Sequence, residues 1–108
     1  MKHIVKWNGL VDTFRDEMLG EYLVVRRAVG KAPWGGWVKA EITEDGETIL
    51  VSLLPSGSVI AVLPASKWEI WITPKNEIHV VRSFPKPDGS RQCPPDEYLF
   101  ISYKIEEK

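Results

Sequence analysis

Cysteine, histidine and net charge are all scarce in this sequence. Cys93 is the one cysteine in 108 residues, so a disulfide within the chain is excluded. The two histidines, His3 and His79, lie far apart, and neither has a second ligand at the spacing of known zinc sites. His79 alternates with Ile78 and Val80, which predicts a solvent-facing side chain. We therefore expect no metal, no cofactor and a reducing, cytoplasmic location.

Charge of one sign and long hydrophobic runs are also lacking. Fourteen basic and fifteen acidic residues give a formal net charge of −1, so the chain has no gross polyanion-binding signature. The segment 48–66 contains no charged residue, but Pro55, Gly57 and Pro64 interrupt it. Two strands joined by a turn explain this segment better than a membrane span. We expect a soluble protein with no membrane partner.

Familiar catalytic patterns are absent as well. No serine lies in a Gly-x-Ser-x-Gly sequence, and no glycine-rich phosphate loop is present. The carboxylate pairs 16–17, 96–97 and 106–107 are adjacent in sequence, and neighbours on a strand face opposite sides. We expect no catalytic residue and no enzyme activity. An enzyme whose site is dispersed over several strands ranks third among our functional hypotheses, after the protein-binding and nucleic-acid-binding modules described below.

The composition is that of a single globular domain over residues 1–108. Hydrophobic residues make up 44% of the chain and charged residues 27%, which argues against disorder. Alternating apolar and polar residues predict strands at 37–42 and 67–73. Other segments rich in β-branched and aromatic residues predict strands at 21–29, 49–54, 59–63, 78–84 and 98–105. Short connections between these segments favour an antiparallel sheet that closes into a small barrel or a compact sandwich.

Residues 8–19 allow two interpretations. Asn8-Gly9 between apolar residues is typical of a hairpin turn. Gly20 instead suits the carboxyl end of a helix. A helix would also explain the spacing of the apolar residues Leu10, Val11, Phe14, Met18 and Leu19. We favour one short helix at 10–19, with the hairpin as the alternative.

Three segments between residues 20 and 70 carry a resemblance to a known superfamily. Gly20-Glu21 opens a predicted strand, Gly36-Trp37-Val38-Lys39-Ala40 follows a loop, and Leu63-Pro64-Ala65-Ser66-Lys67-Trp68 precedes another strand. Together they resemble the Src-homology-three-like and Tudor-like small β-barrels. The resemblance implies a small antiparallel barrel with a one-turn helix before its last strand, and loop aromatics that form a ligand groove. It identifies no ligand.

Tryptophan is abundant, with five residues. Trp68 shares a predicted strand face with Ile70 and Ile72, which indicates a core position. Three others lie off the apolar faces, either in a loop or on the polar side of a strand: Trp34, Trp37 and Trp71. Because indole combines a large rigid apolar area with a polar N–H group, these three form a candidate aromatic binding patch.

Basic residues are concentrated in one part of the chain. Residues 22–40 contain no acid and include the cations Arg26, Arg27, Lys31 and Lys39. Cations interleaved with tryptophan are typical of surfaces that bind single-stranded nucleic acid. A nucleic-acid-binding small barrel is therefore our alternative functional hypothesis.

The uncharged hairpin at 48–63 supports the functional hypothesis that we favour, which is binding to a protein. Its two strands carry apolar residues on both faces, although a strand of a small barrel turns only one face to the core. The candidate interface residues are Leu50, Leu54, Ile60 and Val62. We expect a non-catalytic binding module, such as a small accessory or phage-type factor, that binds a protein partner or associates with itself.

Overall fold

Eight antiparallel β-strands form one sheet in the computed structural model, which describes residues 5–99. In chain order they are β1 Lys6–Asp16, β2 Gly20–Lys31, β3 Trp37–Ile42, β4 Thr48–Leu53, β5 Val59–Pro64, β6 Glu69–Ile72, β7 Ile78–Arg82 and β8 Glu97–Tyr98. The sheet is curled into a half-barrel. The prediction of a mainly β protein is confirmed, and a small barrel is compatible with this architecture.

Strand β2 connects the two parts of the sheet. Strands β1 to β5 form a meander in which each strand pairs with the next. One edge of β2 pairs with β1, while the other pairs with β6 at residues 23–25 and with β3 at residues 27–31. Strands β7 and β8 then follow β6, so the meander and the β6–β8 unit share one central strand.

An irregularity in β2 allows this sharing. Val25 and Ala28 are both fully buried in one core cluster although they are three residues apart, and Arg26 and Arg27 between them are exposed. The inward and outward alternation of the strand therefore changes phase at the two arginines. Strand β1 has a matching register shift between Leu10 and Asp12. Such irregularities bend strands and increase their twist.

The first core lies on the inner face of the curled sheet. Its fully buried members follow the alternation that the sequence predicted, with Val38 and Ala40 on β3 and Ile49 and Val51 on β4. Ile70 on β6 continues the same face. Trp68 is half-buried and packs against this cluster, close to its predicted core position.

A second core lies on the opposite face of β1, β2, β6 and β7. Its three aromatic rings pack together, with ring centroids 4.8 Å apart for Phe14 and Trp71, 5.0 Å for Tyr22 and Trp71, and 5.3 Å for Phe14 and Tyr22. Cys93 and Tyr98 pack against these rings from the chain that follows β7. A proline-rich connection therefore supplies part of a core, which alternation within strands does not reveal.

The prediction of a helix at 10–19 is wrong, because β1 extends to Asp16. Met18 is fully at the surface and Leu10 and Val11 are half exposed, so the helical spacing creates no buried face. The hairpin turn lies at residues 17–19 and not at Asn8-Gly9. There the Oδ1 atom of Asp16 accepts hydrogen bonds of 2.8 Å from the amides of Met18 and Leu19, which is typical of Asp in a turn.

The remaining predicted strands are confirmed to within a few residues where the structure describes them. The predicted strand at 98–105 begins with β8, and most of it lies outside the described residues. Between residues 5 and 99, no helix is long and apolar enough to cross a membrane.

Candidate functional site

Strands β2 to β5 share a face that points away from the first core, and we call it the outer face. The pairing register places Arg27 opposite Glu41, Glu41 opposite Leu50, and Leu50 opposite Val62. Residues that are directly opposite in an antiparallel sheet lie on the same side. The outer face accordingly consists of Arg27, Val29, Lys31, Trp37, Lys39, Glu41, Leu50, Ser52, Val59 and Val62.

The half of the outer face on β2 and β3 is mainly basic. It carries three cations and one carboxylate, that of Glu41. The Nε atom of Arg27 lies 3.6 Å from Oε1 of Glu41, and the Nζ atom of Lys39 lies 3.6 Å from Oε2. Ion pairs of this kind at a surface contribute little to stability. Because three cations face one carboxylate, an excess of positive charge remains beside the indole of Trp37, which lies opposite Lys31.

The half on β4 and β5 is uncharged and apolar. Val62 is 64% exposed and Val59 is 56% exposed. Leu50 lies on β4, between Glu41 of β3 and Val62 of β5. Val59 was not among the candidate residues from the sequence. A register shift between Val51 and Ser52 brings it opposite Ser52, and strand alternation alone does not predict that position.

The three candidate tryptophans lie in different environments. Trp37 is 40% exposed on the outer face, as the sequence predicted. Trp34 is half-buried and packs against the first core, with its ring directly over Gly36. The prediction that Trp71 faces the surface is wrong, because it is 1% exposed in the second core. The chain after β7 covers that face of β6, and the Nε1 group of Trp71 donates a 2.9 Å hydrogen bond to Glu69.

The candidate basic and interface residues separate in a similar way. Arg27, Lys31 and Lys39 lie together on the outer face, whereas Arg26 lies against Gly9 of β1. Leu50 and Val62 are neighbours on the same face. Ile60 differs, since it packs against the first core. Leu54 directly follows β4, and its amide donates a 3.0 Å hydrogen bond to the carbonyl of Trp37, which continues the β3–β4 register and places Leu54 opposite Trp37.

Cys93 and Tyr22, which pack together in the second core, have raised pKa values. Burial, followed by the charge of Asp16, raises the pKa of Cys93, and a protonated thiol is a poor nucleophile. Burial, followed by the nearby Cys93, raises the pKa of Tyr22 to about 12. In the described part of the chain, no cluster of three or more His, Cys, Asp or Glu side chains could hold a metal ion.

A shallow concavity of about 260 Å³ lies between the β1–β2 turn and the β6–β7 turn. It is lined by Leu19, Pro74 and Lys75, with the pair Glu77 and His79 on one wall. The Oε1 atom of Glu77 lies 3.4 Å from Nε2 of His79. The sequence predicted a solvent-facing His79, but its side chain is only 20% exposed. This burial lowers the pKa of His79, so its ring is neutral at pH 7 and adds no positive charge to this surface.

Comparisons of this chain with protein-family models, with curated proteins and with solved structures found no match.

Proposed function

We propose that this protein is a non-catalytic binding module that binds a protein partner through its outer face. The observation that carries the proposal is the exposure of Trp37 on β3 and of Val59 and Val62 on β5, all on one face of the sheet. Exposed aromatic and aliphatic side chains on a rigid sheet lose little conformational freedom on binding. Tryptophan and arginine are also the residue types that dominate binding energy at protein interfaces.

Charge on the outer face indicates the chemistry of the partner. The cations Arg27, Lys31 and Lys39 adjoin the apolar half, and Glu41 is the one carboxylate among them. A partner segment that combines apolar and acidic side chains would cover Leu50 and Val62 and would also offset this positive charge. Such complementarity favours specificity and fast association.

Nucleic acid is the weaker candidate because of Glu41. Its carboxylate lies 3.6 Å from both Arg27 and Lys39, so two of the three outer-face cations already have an anionic neighbour. With Glu41 offsetting these two cations, little net positive charge remains for a strand that carries a phosphate on every nucleotide, whereas a peptide needs only one or two acidic side chains. Of the two tryptophans that the nucleic-acid hypothesis places among these cations, Trp34 is half-buried against the first core and Trp37 is exposed.

We extend the proposal to a Src-homology-three-like arrangement of residues 20–72. The amides of Lys67 and Trp68 both donate 3.1 Å hydrogen bonds to the carbonyl of Pro64, which forms a single turn immediately before β6. Strand β6 then pairs with β2, the strand that Gly20-Glu21 opens. These two features support the resemblance seen in the sequence, while β1, β7 and β8 lie outside it.

A displayed library of random peptides, selected on the immobilised full chain, tests the proposed function. We expect enriched peptides that combine acidic and apolar residues. Replacing Trp37 or Lys39 by alanine should weaken their binding at least tenfold, whereas Lys75→Ala, at the exposed β6–β7 turn, should leave it unchanged. Failure to enrich any peptide, or equal binding by all variants, would contradict the proposal. Salt-dependent binding of a single-stranded oligonucleotide that Lys39→Ala abolishes would favour nucleic acid instead.

A further inference from the structure

Strand β5 is an end strand that has a bulge at Ile60 and ends at Pro64, but no charged residue protects it against pairing. Within residues 5–99 it pairs on one side only, with β4. Its sequence Val-Ile-Ala-Val-Leu-Pro contains no charged residue, and Val59 and Val62 are more than half exposed. Exposed hydrophobic edge strands are templates for pairing with another chain, and natural proteins usually block them with charges, bulges or short length.

The other end strands of the sheet do have such protection. Strand β1 pairs only with β2 among the described residues, and it carries Lys6, Asp12, Arg15 and Asp16 along its length. Its register shift between Leu10 and Asp12 further disturbs a regular edge. Strand β8 contains only two residues. Strand β5 is therefore the one described end strand of more than two residues that carries no charge.

We infer that β5 pairs in antiparallel orientation with β5 of a second copy of this chain. A two-fold axis through the pair would join two sheets into one continuous sheet, with the apolar halves of both outer faces at its centre. Dimers with two-fold symmetry are the commonest assemblies of identical chains. It would bring Val59 and Val62 of each copy beside the same residues of its partner.

Charge complementarity selects a second copy as the occupant. Residues 48–66 are uncharged, so the pairing places one neutral surface against another. The nearest outer-face cation to the axis, Lys39, lies on β3. Five strand spacings of about 4.8 Å separate Lys39 from its equivalent, which is roughly 24 Å and well beyond the Debye length of about 8 Å. Repulsion between the two basic halves is therefore screened, whereas the acidic partner proposed above would gain nothing from the neutral edge.

The pairing would also present two outer faces on one side of a continuous sheet. A partner that carries two copies of the recognised segment would then bind with increased avidity. Dimer formation and partner binding are separable, because Trp37 lies on β3 and not on the β5 edge. The dimer consequently does not depend on the proposed function.

Sedimentation equilibrium of the full chain, from low micromolar to near-millimolar concentration, tests the dimer. We expect the mass to rise from one chain to two. Val62→Lys places a charge on the edge, and because Val62 is 64% exposed the monomer should fold normally, as circular dichroism would verify. This variant should dimerise at least tenfold more weakly. Val11→Lys is the matched control, since Val11 is 53% exposed on the β1 edge and its replacement should leave the dimer intact.

Amide hydrogen exchange provides the second measurement. Amides of β5 should exchange more slowly at high protein concentration in the wild type and in Trp37→Ala, but not in Val62→Lys. A single-chain mass at every concentration overturns the inference. So does a dimer that Val11→Lys weakens as much as Val62→Lys, because association would then be general and not specific to β5.

Discussion

At the scale of single residues, Arg91 makes contacts that local sequence patterns do not predict. Its side chain is 10% exposed, with Nε 2.9 Å from Glu69 and Nη1 3.2 Å from Asp12. These contacts fasten the chain after β7 over the second core, and Glu69 in turn accepts the hydrogen bond from Trp71. Because the three partners are far apart in sequence, no local pattern predicts them. The buried position of Trp71 follows from this covering segment, which explains why strand alternation placed its indole on the surface.

His79 gives the pH prediction at this scale. Its folded-state pKa is lowered, mainly by burial, below the ordinary value of 6.5 that it has when unfolded. Above pH 6.5 the ring is neutral in both states, so it does not change the free energy of unfolding. As the pH falls below 6.5, the unfolded chain binds the proton more readily than the folded chain. Stability should therefore decrease as the pH falls below about 6.5, whereas an exposed histidine would have little effect on it. Urea denaturation at a series of pH values measures this decrease in the free energy of unfolding, which should be smaller in His79→Gln than in the wild type.

Glu77→Gln is the companion variant for this measurement. The carboxylate of Glu77 raises the pKa of His79 and so opposes the effect of burial. Removing it should lower the folded-state pKa further and make the acid-side loss of stability larger than in the wild type. Identical pH profiles for the wild type and His79→Gln would show that another group is responsible.

At the scale of strands, the sequence predicted elements better than their partners. Alternation at residues 37–42 predicted β3 with its correct inner face, and the uncharged segment predicted the β4–β5 hairpin. The prediction of a helix at residues 10–19 is wrong because the spacing of apolar residues there does not reflect burial: Leu10, Val11 and Met18 are exposed on or next to an edge strand. Strand alternation also does not predict the pairing of β6 with β2, because the alternation of β2 changes phase at Arg26 and Arg27, next to the residues that pair with β6.

Gly30 carries the prediction for β2. A Cβ atom at this position would lie 2.8 Å from Cγ2 of Val5 and 2.9 Å from its Cα atom, which is backbone. Gly30→Ala should therefore force β1 and β2 apart and lower the free energy of unfolding by about 1–3 kcal/mol, as overpacking usually does. Urea denaturation measures this loss. Val29→Ala, the neighbouring residue on the outer face, should cost less than about 1 kcal/mol, and an equal loss in both variants would contradict the steric explanation.

At the scale of the whole molecule, two cores on opposite faces share one strand. Val25 belongs to the first core and its neighbour Val24 to the second, and both are buried in β2. A sheet with one buried face is what alternating sequences such as 37–42 predict. Burial of both faces at β2, β6 and β7 requires the segment after β7, so the sequence predicted a mainly β protein without its second core.

Sharing of β2 predicts one cooperative unfolding transition for both cores. Loss of either cluster would remove the packing that holds β2, so neither can persist alone. Val24→Ala and Val25→Ala should each lower the free energy of unfolding by about 1–3 kcal/mol, since each removes buried methyl groups and leaves a cavity. In both variants, the free energies of opening measured by amide hydrogen exchange in β4 and in β7 should coincide. Two different values, with Val24→Ala lowering only that of β7, would show that the β6–β8 unit folds independently of the β3–β5 meander.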